Sequence, residues 1–182
     1  LRAVVEDWYA ARLAEGLPAL NVNTTAPMLG LAVLWAETRD PRQILVAIES
    51  LARDTLGYRG ATMFRYIDAA AEVERIHSSD LVAYPVGGRK QVAAYPVNQA
   101  VLARGEVYVA ADRDAVKLTY KDFEKIFALG VTSIMNVPVR LAGRNIGALN
   151  IFGEAGQFDD DAKRKGRMLA ALMVPAILAW KE

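Results

Sequence analysis

The chain has 182 residues, 22 Lys and Arg against 21 Asp and Glu, one histidine and no cysteine. At roughly 150 residues per domain that is about one domain, and 53% hydrophobic with 24% charged residues is the make-up of an ordinary globular protein. Without cysteine there is no thiol nucleophile, disulfide, thiolate metal site or thioether-linked chromophore, and one histidine excludes a multi-histidine metal site.

In chain order, Leu1, Val4, Val5, Trp8 and Arg12 form a helical stripe that Gly16 and Pro18 close. Residues 16–25 read as a linker, and a second helix is expected from Thr25 to Glu37. Asp40-Pro41 predicts the next start, a capping carboxylate before proline at the first helical position. Ile44, Leu45, Ile48, Leu51, Ala52 and Leu56 then repeat at helical spacing up to Gly57.

The pattern changes after Gly60. Residues 61–67 and 72–77 are β-rich and alternating, which predicts two strands. Residues 78–94 carry Pro, two Gly and charges without a period, and read as a long, partly ordered loop. A helix is expected from Pro96 to Arg104, a short strand from Glu106 to Ala110 and a helix from Lys121 to Leu129. Val131 to Val139 and Asn145 to Phe152 form a hairpin around Leu141-Ala142-Gly143-Arg144. The last helix opens on Phe158, Asp159, Asp160 and Asp161, acidic where the helix dipole favours anions, and Pro175 should break it. Helices mixed with hairpin-linked strands predict an α+β domain on a mostly antiparallel sheet. Pro138 marks a strand edge, bulge or end, and Gly147 a bulge or a backbone approach too close for a side chain.

Residues 130–139 (GVTSIMNVPV) followed by 143–150 (GRNIGALN) resemble the most recognisable part of a GAF domain, whose pattern is loosely Gly-x-x-Ser-x-x-x-x-Pro, a turn glycine, then Ile-Gly-x-Leu. Phe158 and Asp161 match the family's opening to its C-terminal helix, and residues 105–112 (GEVYVAAD) look like its middle strand ending in Asp. The resemblance covers residues 41 to about 180. It implies a GAF-like or profilin-like antiparallel sheet of five or six strands with helices on both faces. The division is then an N-terminal helical extension, residues 1–39, and a GAF-like domain, residues 40–182. It also implies small-molecule sensing between the sheet and a layer of loops and short helices, and dimerisation through the terminal helices. Free methionine sulfoxide reductases and thioether-linked bilin binders resemble this family but use cysteines, which the chain lacks. Cyclic-nucleotide-binding members carry an Asn-Lys pair after the last strand. Gly153 and Glu154 stand there instead, a reversal of charge that argues against binding in that manner.

The candidate ligand-binding residues are His77, Tyr84, Arg89, Lys90, Asp112, Ser133, Asn136 and Asn150. His77 offers a general base or a haem ligand, against the commoner fate of a loop-edge histidine with a satisfied hydrogen bond. Residues 85–90 (PVGGRK) could form an anion nest for a carboxylate or phosphate, or an exposed turn with solvated charges. Asn136 and Asn150 lie opposite each other or one residue out of register, either bonded to each other or pointing into a cavity. Ser133 is equally open, and Asp112 either caps a turn or meets ligand. The expected function is a non-catalytic sensory or regulatory module for an unidentified small molecule. The alternatives are a dimerisation or protein-interaction domain with a filled pocket, or a small enzyme using His77.

A net charge of +1 argues against nucleic acid as a partner. No apolar run approaches the roughly 18 residues of a membrane span. The chain opens at Leu1, as a trimmed chain or fragment would, without a recognisable signal peptide. The cytoplasm is the expected compartment, no cofactor is legible, and the apolar width of the last helix points to a homodimer.

Overall fold

The computed structural model describes residues 22–94 and 96–181. The expected helix over Leu1 to Arg12 lies outside them. Helix α1 (Val22–Glu37) starts three residues before Thr25, and Leu31, Leu34 and Trp35 bring it onto the core. Helix α2 (Pro41–Leu56) begins as its sequence requires. The Asp40 carboxylate accepts from the Arg42 N–H at 3.0 Å, and Gly57 ends the helix at φ 59° with its N–H on the Arg53 carbonyl.

Six strands follow: β1 (Gly60–Ile67), β2 (Glu72–Ser78), β3 (Arg89–Gln91), β4 (Tyr108–Ala110), β5 (Ser133–Leu141) and β6 (Arg144–Gly153). They form one antiparallel sheet in the order β3-β2-β1-β6-β5-β4. Strand β3 was not foreseen within the expected long, partly ordered loop of 78–94: three charged or polar residues pair with Glu72, Val73 and Glu74 at the sheet edge. Helix α3 (Pro96–Asn98) runs into a π turn over Gln99–Ala103. The unforeseen helix α4 (Arg113–Thr119) precedes α5 (Phe123–Ala128), shorter than the expected Lys121 to Leu129. The last helix is broken, as Pro175 demands, into α6 (Asp160–Leu172) and α7 (Val174–Leu178).

Alternation along the strands sorts the sheet into two faces. Met63, Met135, Val137, Val139, Leu149 and Ile151 are fully buried and pack against α1, α2, α6 and α7. Thr62, Phe64, Ile134, Asn136, Ala148 and Asn150 point the other way, toward α3–α5 and the segments around them. The β5–β6 turn has Ala142 and Gly143 at φ 48° and 79°, the mirror-image geometry that suits the twist of a two-residue hairpin. Pro138 lies beyond Asn136, the last β5 residue paired with β4 among Asn136, Met135 and Ile134, where the missing N–H costs no bond to that neighbour. At Gly147 the Phe64 carbonyl oxygen of β1 and Ile177 of α7 occupy the space a Cβ would need.

Candidate functional site

One row of side chains crosses the sheet on its outer, α3–α5 face. Ser78, Thr62, Asn150, Asn136 and Tyr108 are successive cross-strand partners on β2, β1, β6, β5 and β4. The neighbouring rows are mainly apolar: Phe64, Ala148 and Pro138 on one side, Phe152, Ile134 and Ala110 on the other. The asparagines are directly opposite each other, which settles their register. A polar row across an otherwise apolar, covered face must find hydrogen-bond partners or lose free energy.

Its partners come from the covering layer. Tyr120, in the connector after α4, donates to Asn136 Oδ1, and burial pushes the Tyr120 phenol's pKa up, so it remains a donor. The Tyr108 hydroxyl pairs with Thr119 Oγ1 at 2.7 Å, and Ser78 Oγ donates to the Asp80 carbonyl at 2.9 Å. Asn150, half-buried, makes no side-chain hydrogen bond among the described residues. It lines a cavity of about 60 Å³, with Asn136, Tyr120, Lys90, Phe64 and Val101 among the walls. One water needs about 10–15 Å³ of such space, so there is room for a few small atoms.

Of the sequence candidates, Lys90, Asn136 and Asn150 meet at this cavity. Tyr84 is on the same face, its ring 5.7 Å from that of Phe152 and its hydroxyl donating to Asp122 at 3.3 Å. Arg89, the neighbour of Lys90 on β3, is half-exposed and 3.9 Å from Glu74. Asp112 caps α4, accepting from Ala115 N–H at 2.8 Å. Ser133 shares a face with Met135 and donates to the Ala110 carbonyl at 2.8 Å.

His77 is on the opposite face from the cavity. A bulge makes β2 advance from Arg75, opposite Phe64, to His77, opposite Met63, with Ile76 extra. Ile76 and His77 therefore both meet the helices, where His77 Nε2 lies 2.6 Å from Glu49 Oε2 of α2. Tyr58 and Arg53 donate to Glu49 Oε1 at 2.7 and 2.9 Å. Burial works to raise the Glu49 pKa, but the Tyr58 and His77 hydrogen bonds with the His77 and Arg53 charges outweigh it and hold it low. This is a hydrogen-bonded tie between sheet and helix. Among the described residues no group of three or more His, Asp or Glu could hold a metal ion.

Arg75 carries no signal of a site in the sequence, yet it is 7% exposed on the cavity side of β2. Its guanidinium is 5.2 Å from the Phe64 ring centre and 5.1 Å from that of Tyr84. The one hint is its parity with Val73, whose apolar side chain marks that face as covered.

No protein-family model and no curated protein matches the sequence. Solved structures do. The GAF domain of a phosphoenolpyruvate-protein phosphotransferase from Coxiella burnetii superposes with a TM-score of 0.67 at 17% identity, covering 88% of this chain and 95% of its own. The equivalent domain from Acinetobacter gives 0.66 at 15% identity, covering 87% and 95%. Free methionine-R-sulfoxide reductase from Neisseria meningitidis, in complex with its substrate, gives 0.59 at 17% identity over 82% and 84%. Among the described residues no helix is long and apolar enough to cross a membrane. The six-stranded antiparallel sheet with helices on both faces is the fold of the GAF domains, and this chain has that fold.

Proposed function

We propose that the chain is a small-molecule-sensing module, cytoplasmic and non-catalytic, which binds its ligand over the polar row beneath residues 89–94 and 96–103. The observation that carries this reading is Asn150, a carboxamide facing a partly covered cavity with no hydrogen bond to any described residue, beside Asn136. Two adjacent amides present donors and acceptors to a polar, planar group, while Phe64, Val97 and Val101 supply apolar contact. Among described residues no nucleophile–base pair or metal cluster lies at the cavity. At about 60 Å³ the site admits a metabolite only if the cover moves. The cover has the means: a three-residue edge strand and a π turn, local structures with few bonds to break. A thermal-shift screen of nucleotides, carboxylic acids and aromatic metabolites tests the reading. Stabilisation by one class, lost in Asn150→Ala, supports it, and no stabilisation by any compound contradicts it.

The small volume favours a second reading, an interaction domain whose pocket its own side chains fill. Either reading accommodates a homodimer through the terminal helices, where Val33 of α1 and Leu178 of α7 are 55% and 65% exposed. A monomer mass in sedimentation at micromolar protein contradicts the dimer.

A further inference from the structure

We propose that Arg75 is the receptor for an anionic group, a carboxylate or a phosphate, on the ligand of this site; the inference rests on the small-molecule reading above and specifies the ligand's chemistry. Arg75 is a nearly fully buried cation that pairs with no carboxylate among the described residues. The nearby acids are engaged elsewhere. Glu74 pairs with Arg65, and Asp122 accepts from Tyr84. The other cation close by, Lys125, donates to the Ala83 carbonyl and sits 4.6 Å from the Tyr84 ring centre.

Among the described residues, one nitrogen of the Arg75 guanidinium finds an acceptor. Nη1 donates to the Pro85 carbonyl at 2.9 Å, while Nε is buried without a partner and no described residue accepts from Nη2. Nε and Nη2 form one edge of the guanidinium, with two parallel N–H bonds at the spacing of two oxygens of a carboxylate or phosphate. The guanidinium carbon lies 5.2 Å from the Phe64 ring centre and 5.1 Å from that of Tyr84, and these two contacts with the Pro85 hydrogen bond restrict its position before anything binds. Burial lowers the Arg75 pKa, and the charge interactions with Tyr84 and Asp122 offset only part of that effect. A buried charge without an ion-pair partner costs free energy. A neutral residue would fill the space at less cost, unless an anion completes the pair.

Arg75 does not itself line the cavity that Asn150 lines, but it adjoins one of the cavity's walls. Arg75 stands opposite Phe64, Phe64 is a wall of the cavity, and Thr62, two residues along β1, is the cross-strand partner of Asn150. The cover over Arg75 is the 85–88 turn. The Arg75 N–H bonds the Gly88 carbonyl, and a Cβ on Gly88 would lie 3.2 Å from Nη1. Glycine there lets the chain close tightly over the guanidinium, and Gly87 at φ 84° gives the turn its geometry.

The test is a titration of the 182-residue protein at constant ionic strength with benzoate, acetate and inorganic phosphate, against neutral benzamide and acetamide. It is read by melting temperature and by the Arg75 Nε–Hε cross-peak in ¹H–¹⁵N spectra. At ten times Kd a bound probe should raise Tm by about 3–6 °C for a chain of this size. The expected result is a rise with a carboxylate or phosphate, a shift of the Arg75 cross-peak, and at least tenfold weaker binding of the matching amide. Which anion wins separates a carboxylate ligand from a phosphorylated one. In Arg75→Met the anion effect should vanish while the ligand-free protein melts no lower than wild type; Arg75→Lys should keep a weakened response if Met fails to fold. Amides binding as well as acids, in wild type and Arg75→Met alike, would overturn the anion proposal and leave the pocket standing. No response to any probe up to tens of millimolar would overturn both.

Discussion

Gly147 and Gly30 should respond to the same substitution with opposite signs. A Cβ on Gly147 would press into the Phe64 carbonyl oxygen and lie 2.8 Å from Ile177 Cδ1. The Ile177 side chain can turn away, but the Phe64 carbonyl belongs to the ladder in which Arg65 faces Gly147 across β1 and β6. Relief therefore needs the two strands to part. Overpacking of a core costs about 1–3 kcal/mol, and a backbone obstruction belongs at the upper end. Alanine recovers about 0.4–1 kcal/mol by restricting the unfolded chain. The net expectation for Gly147→Ala is a loss of about 2 kcal/mol, or about 4–8 °C in Tm. Gly30 is on the exposed side of α1, and an added methyl would meet nothing within 4 Å. Gly30→Ala should therefore gain about 0.5–1 kcal/mol of helix propensity. Urea unfolding followed by circular dichroism gives both values. A Gly147→Ala protein as stable as wild type would refute the close approach of β1, β6 and α7.

Tyr120→Phe removes the donor to Asn136 Oδ1 and leaves a buried amide oxygen unpaired. The expected cost is about 1–2 kcal/mol in urea unfolding, and an unchanged midpoint would show that the amide is satisfied otherwise. Glu49→Gln should destabilise the protein most at neutral pH. The native carboxyl is held below its ordinary pKa, so its contribution is complete above the ordinary carboxylate range and lost as pH falls through the lowered native value. The gap between wild type and Glu49→Gln should therefore close in acid, and a gap constant with pH would contradict the tie to His77 and Tyr58.

Local signals carried most of the fold. Asp40-Pro41 and Gly57 bound a helix because capping and positive φ are decided within a few residues, and Pro175 breaks the last helix for the same reason. The β5–β6 hairpin is equally local. Strand β3 was invisible because Arg89-Lys90-Gln91 lies at an edge and buries no apolar side chain. Helix α4 escaped because Val116 is its one buried residue. At the site, Lys90, Asn136 and Asn150 could be named from polarity in apolar strands and from loop position. His77 could not be placed, since strict alternation puts it on the face of Val73 and Arg75, and only the bulge at Ile76 carries it to the helices. Arg75 reads as an ordinary surface arginine until the turn over residues 85–88 closes on it.

The central claim is that the polar row is a ligand floor, and the side-chain amide resonances of Asn150 and Asn136 report on it directly. With both assigned through Asn150→Ala and Asn136→Ala, titration of a stabilising compound from the thermal-shift screen should move the two NH₂ pairs together, with one dissociation constant equal to that from the Tm shifts. Stabilisation that leaves both amides unmoved would place the ligand elsewhere and contradict the account.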